Sequence, residues 1–85
     1  MREAILRPGA RRSYDLMSET EVAEINRRIA RLERDPSPDG ITSFEVPDAP
    51  GLYLYDDGTW VMYYLVPDET TIAIRSIAHA LDLPD

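Results

Sequence analysis

His79 is the only histidine in this 85-residue chain, and Arg75 is the only arginine after position 34 of a chain with no lysine. Histidine is the one side chain whose ordinary pKa lies near neutrality, so His79 is the candidate proton donor or acceptor. Arg75 could hold a phosphate or, among aromatic rings, make a cation–π contact. Other chemistry is thin. There is no cysteine to ligate zinc or form a disulfide, and one histidine with acids scattered over loops makes no metal site. No glycine-rich loop could cradle a phosphate, and Ser13 and Ser76 lack the company of a triad. No metal and no cofactor are expected.

The other concentration of interest is GLYLYDDGTWVMYYLV, residues 51–66. Asp57-Gly58 is a two-residue turn signal, because both types tolerate positive φ. Counting outward from it pairs Tyr55 with Trp60, Leu54 with Val61, Tyr53 with Met62 and Leu52 with Tyr63. Opposed residues share a face. Tyr53, Tyr55, Trp60, Met62 and Tyr64 therefore make one face, and Leu52, Leu54, Val61, Tyr63 and Leu65 the other. Carried through Asp68-Glu69, the count sets Met62 against Arg75 and Tyr64 against Ala73. Ile72 and Ile74 then join the leucine face, and Arg75 and Ile77 the ring face.

The elements that must position these residues follow from local signals. Glu3-Ala4-Ile5-Leu6-Arg7 reads as a strand stopped by Pro8-Gly9, and residues 10–17 as a short helix. Ser18-Glu19-Thr20-Glu21 is a capping box, with Met17 and Val22 as its hydrophobic staple. Val22, Ile25, Ile29 and Leu32 then form one helical stripe, which ends at Asp35-Pro36. Ile41 to Val46 reads as a strand, and Thr71 to Ala78 as the last. The fold class is α+β: an N-terminal strand and helical hairpin packed on one face of a curved antiparallel sheet of about four strands, all in one domain, 1–85. The leucine face is the expected partner of the helix stripe. The ring face is then open, a candidate docking surface. The alternatives are that the chain ends fold over it, or that its tyrosines pair across strands with their hydroxyls in water.

Charge narrows the partners. Residues 1–34 hold eight arginines against six acids, and residues 35–85 hold Arg75 against ten, for a net charge of −7. Non-specific nucleic-acid binding is mostly phosphate neutralisation, which this balance opposes. Arg27, Arg28 and Arg31 with Arg11 and Arg12 form either a basic patch or a solvated helix face interleaved with acids. MREAILRPGARR is no secretory signal, and the longest apolar run, Trp60 to Val66, is too short to span a bilayer as a helix. A cytoplasmic domain with no membrane partner is expected.

The order of these motifs resembles the RelE/ParE toxin superfamily of bacterial toxin–antitoxin systems. The likeness rests on the early strand with Pro8, the helix ending IARLERDP, then PGLYLY, WVMYYLV and TIAIRSIAH, and it covers nearly the whole chain. It implies a small curved sheet backed by a helical hairpin, an antitoxin protein as partner, and growth arrest by mRNA cleavage on the ribosome or by binding a target such as gyrase. Under cleavage, His79 would be the acid or base and Arg75 the phosphate contact. The chain departs from the pattern in two places. Trp60 stands where ribonuclease members carry a strand arginine, and Ala78-His79-Ala80 keeps the histidine of a Gly-His-Arg motif without its arginine. The other reading is a catalytically inactive module whose ring face docks a protein, either an antitoxin segment or a second copy in a homodimer.

Overall fold

A computed structural model describes residues 1–82. Strand β1 (Glu3–Leu6) leads into helices α1 (Pro8–Asp15) and α2 (Glu19–Arg34), and strands β2 (Ser43–Glu45), β3 (Leu52–Asp56), β4 (Trp60–Leu65) and β5 (Thr71–His79) follow. A 3₁₀ turn, Ala80–Asp82, closes the described chain. No helix among the described residues is long and apolar enough to cross a membrane.

Helix α1 starts earlier than its apolar residues indicate, because Pro8 takes a first-turn position where its missing N–H costs nothing. Helix α2 matches its sequence signals. The Glu21 amide donates to Ser18 Oγ at 3.2 Å, and the Ser18 amide donates to Glu21 Oε1 at 2.9 Å. Strand β2 is shorter than expected. Asp39 Oδ1 accepts the amides of Ile41, Thr42 and Ser43 in succession, which keeps the backbone bent up to Ser43. Those three amides hold the Asp39 carboxyl down at about 2.

The sheet has five strands in the order β1-β5-β4-β3-β2. It is mixed, since β1 runs parallel to β5 with Ala4 opposite Ile72 and Leu6 opposite Ile74. The N-terminal strand is thus an edge of the sheet and not part of the layer above it. Counting between successive strands cannot reveal this pairing, because the partners lie at opposite ends of the chain. The outward edge of β1 is closed to further pairing where the Ala4 amide donates to Glu33 Oε2 at 2.8 Å.

The hairpin turn lies one residue further on than expected. Asp56 pairs with Val61, Tyr55 with Met62, Tyr53 with Tyr64 and Leu52 with Leu65. Gly58, at φ +87°, and Thr59 form the turn, and Asp57 Oδ1 accepts the Thr59 and Trp60 amides at 3.0 and 2.9 Å. The aspartate acts as a turn-initiating side chain and leaves the central positive φ to glycine. Moving the turn by one residue shifts the pairing by two, so the partition of side chains between faces survives.

Between β4 and β5 the partition changes. Met62 pairs with Ile77 and Tyr63 with Ser76, but Tyr64 pairs with Ile74. Arg75 is the extra residue of a β-bulge, which reverses the alternation along the first half of β5. Ile72 and Ile74 consequently join Ile77 on the ring face, and Arg75 leaves it.

That ring face, not the leucine face, lies under the helices. Ala10 of α1 and Ile25, Ile29 and Leu32 of α2 pack with Tyr55, Trp60, Met62, Tyr64, Ile72, Ile74 and Ile77 in one buried core. Tyr53 is half-buried and stacks on Tyr64 with ring centroids 5.4 Å apart. The expected docking surface of Tyr53, Tyr55, Trp60, Met62 and Tyr64 is therefore the interior of the protein. A stripe of aliphatic residues and Ala10 leaves space that large rings fill, and each buried ring takes its polar tip to a partner. Tyr64 Oη donates to the Pro36 carbonyl at 2.8 Å, Tyr55 Oη to Asp57 Oδ2 at 2.8 Å, and Trp60 Nε1 to Glu24 Oε2 at 3.0 Å. Burial raises the Tyr64 hydroxyl to about 12.

Candidate docking surface

With the ring face under the helices, the other face of the sheet is open. Cross-strand pairs lay it out: Phe44 beside Leu54, Leu54 beside Tyr63, Leu52 beside Leu65, and Leu65 beside Ala73, which in turn neighbours Ile5 on β1. Among the described residues no second layer covers it, and Ile5, Phe44 and Tyr63 are 53, 40 and 37% exposed. Val61 shares this face yet keeps only 7% exposure. Hydrophobic neighbours arrayed in this way form a continuous apolar surface.

The bulge sets the one arginine of the sheet strands into this surface. Arg75 and Ser76, with Leu52 and Tyr63, line a shallow cleft of about 310 Å³. Arg75 is exposed, and the ion pairs among the described residues join Arg11 to Asp15, Arg28 to Asp57 and Arg31 to Asp39, so its guanidinium is uncommitted.

His79 sits elsewhere. It pairs with Trp60 on the helix face, its ring edge-on to the indole at 5.0 Å between centroids. A cleft of about 330 Å³ beside it is lined by Ser13, Glu21, Trp60, Ile77 and Asp82 among others, with two carboxylates and no arginine. His79 Nδ1 accepts the Leu81 amide at 3.2 Å, which leaves the proton of the neutral ring on Nε2. The two residues expected to share a catalytic site, His79 and Arg75, thus belong to opposite faces of the sheet. Trp60, expected on the docking face, points under the helices, and Val61 occupies the open face at that end of β4.

A polar network between α2 and the hairpin turn locks the sheet to the helices, and it was not apparent in the sequence. Arg28 Nε donates to Asp57 Oδ2 at 2.6 Å, and Arg28 Nη1 donates to the Glu24 carbonyl at 3.0 Å. Burial alone would push the Asp57 carboxyl up. The Trp60 amide, the Arg28 guanidinium, the Thr59 amide and the Tyr55 hydroxyl outweigh it and hold the group well below the carboxylate range. Burial and then the Asp57 carboxylate raise the Tyr55 hydroxyl. In sequence, Asp56-Asp57 reads as a turn pair and nothing more, because its helix partner is 29 residues away.

Neither a family model nor a curated protein matches the sequence. Among solved structures, the chain is similar to one in the crystal structure of the toxin–antitoxin complex RelBE2 from Mycobacterium tuberculosis. The TM-score is 0.70 at 23% sequence identity, with 92% of this chain and 96% of that chain covered. At that identity the likeness is one of fold, and it agrees with the motif order IARLERDP, PGLYLY, WVMYYLV and TIAIRSIAH. The chain has a RelE-like α+β fold: two helices on one face of a five-stranded mixed sheet, with no second layer on the other face among the described residues.

Proposed function

We propose that the chain is the toxin-like member of a bacterial toxin–antitoxin pair and arrests growth in the cytoplasm by binding a target, its open sheet face serving as the contact surface for protein partners, an antitoxin among them. One observation carries this reading. Among the described residues a continuous apolar sheet face, Ile5 to Phe44, stands uncovered on a RelE-like fold, and exposed apolar surface of that kind marks an interaction site. The separation of His79 from Arg75 argues against the ribonuclease alternative. A base and a phosphate-binding cation must reach the same few atoms, and here the sheet lies between them.

The test is induction of the chain in bacteria, with and without a short neighbouring reading frame. Growth arrest relieved by that frame is expected. His79→Ala should arrest growth as the parent does, and messenger RNA recovered from a translation reaction containing the protein should show no new ends. Tyr63→Asp, on the open face, should abolish arrest while the circular dichroism melt stays within a few degrees of the parent. Loss of arrest in a folded His79→Ala variant, or cuts that depend on His79, would overturn the binding reading in favour of ribosome-dependent cleavage.

A further inference from the structure

The open face is apolar in its middle and acidic at both ends of its strands. Glu3, Asp48, Asp68 and Glu69 lie at the end where β4 turns into β5, and Asp56 at the other, all of them exposed. Against these stand Arg75 in the cleft and Arg7, which continues the extended backbone of β1 toward α1. The remaining arginines of the chain belong to α1, α2 and the N-terminal Arg2, whose Nε donates to the Asp68 carbonyl at 3.3 Å. Six of the nine arginines lie in the two helices, where five acids accompany them, whereas acids outnumber arginines at the strand ends bordering the open face.

We infer that the occupant of this face is a basic amphipathic helix. Backbone hydrogen bonds within the sheet are spent between its strands, so an element lying across the face must satisfy its own, which a helix does. Crossing five strands at about 4.8 Å spacing takes roughly 19 Å, or about 13 residues of helix. Its apolar stripe would lie over Leu52, Leu54, Tyr63 and Leu65. Lysines or arginines along its two flanks would meet the acidic ends of the strands, and opposite charge would steer its approach. This inference rests on the proposed use of the face for binding, and it adds the sign of the partner.

Three synthetic peptides of one length separate the outcomes, each carrying a fluorescent label read by anisotropy against the full chain. The first has a leucine stripe with lysine and arginine at its polar positions, the second has the same stripe with glutamate, and the third is a scramble of the first without a stripe. The first is expected to bind about tenfold or more tighter than either of the others, with affinity falling as salt rises. Tyr63→Ala combined with Phe44→Ala should remove its advantage over the scramble, and Asp56→Lys combined with Glu69→Lys its advantage over the glutamate peptide. Tighter binding of the glutamate peptide, equal binding of all three, no binding of any, or preferences that survive these substitutions would overturn the inference. None of those outcomes touches growth arrest or its relief by the neighbouring frame, which decide the broader reading separately.

Discussion

Trp60→Ala is expected to unfold a large part of the protein population under mild conditions. The indole is 2% exposed in the centre of the core, and truncating a buried aromatic ring to alanine costs about 3–5 kcal/mol. A domain of 85 residues has about 4–13 kcal/mol of stability in all. For a chain of this size, each kcal/mol moves the melting temperature by about 4–8 °C, so a drop of about 12–40 °C should appear in a thermal melt followed by circular dichroism. Trp60→Phe keeps most of the ring and loses the 3.0 Å bond to Glu24, and it should cost only about 1 kcal/mol. A Trp60→Ala variant that melts like the parent would return the indole to the surface.

The second large effect belongs to Asp57. Asp57→Asn removes the partner of Arg28 and disturbs an acceptor shared by Tyr55, Thr59 and Trp60, with both ion-pair side chains about four-fifths buried. Breaking such a pair leaves a charge without compensation, and a loss of about 2–3 kcal/mol is expected after allowing for residual solvent. The pH dependence has a definite sign. The Asp57 carboxyl titrates lower in the folded chain than in the unfolded one. Its contribution is therefore complete above the unfolded value of about 4 and is lost as the pH falls below that toward the folded value. Urea midpoints measured from neutrality down to the lowest pH at which the protein stays soluble should fall more steeply for the parent than for Asp57→Asn. Parallel curves would show that Asp57 carries no such linkage. Asp39, also held down in the folded chain, contributes a fall of the same sign to both proteins.

How much of this was legible in the sequence depends on the range of the signal. Helix α2 could be read almost to the residue, since Ser18 and Glu21, the stripe from Val22 to Leu32, and Asp35-Pro36 are all local. The partition of the hairpin into two faces was legible as well, and it tolerated a turn displaced by one residue. Which face meets the helices was not. Both faces are apolar, and the leucines suggested a core more readily than the tyrosines did. What qualifies the tyrosines and Trp60 for burial is a set of distant partners for their polar tips: Asp57 in the turn, the Pro36 carbonyl and Glu24. The bulge left a trace in Ile72, Ile74 and Ile77, whose spacing of two and then three is what a strand with one extra residue produces. The place of β1 depended on a partner nearly 70 residues away, beyond any local pattern.

The proposed surface exists only if the tyrosine- and tryptophan-bearing side of the sheet is the one the helices cover. Trp60 is the single tryptophan of the chain, so its fluorescence reports on that side alone. Quenching by acrylamide, a neutral reagent indifferent to the nearby Glu24 carboxylate, measures its access to solvent. The native protein should emit toward the blue and resist the quencher, and denaturant should abolish both properties together. Red-shifted emission that is freely quenched while the circular dichroism remains native would contradict the account, since the rings would then face water and the leucines would lie against α1 and α2.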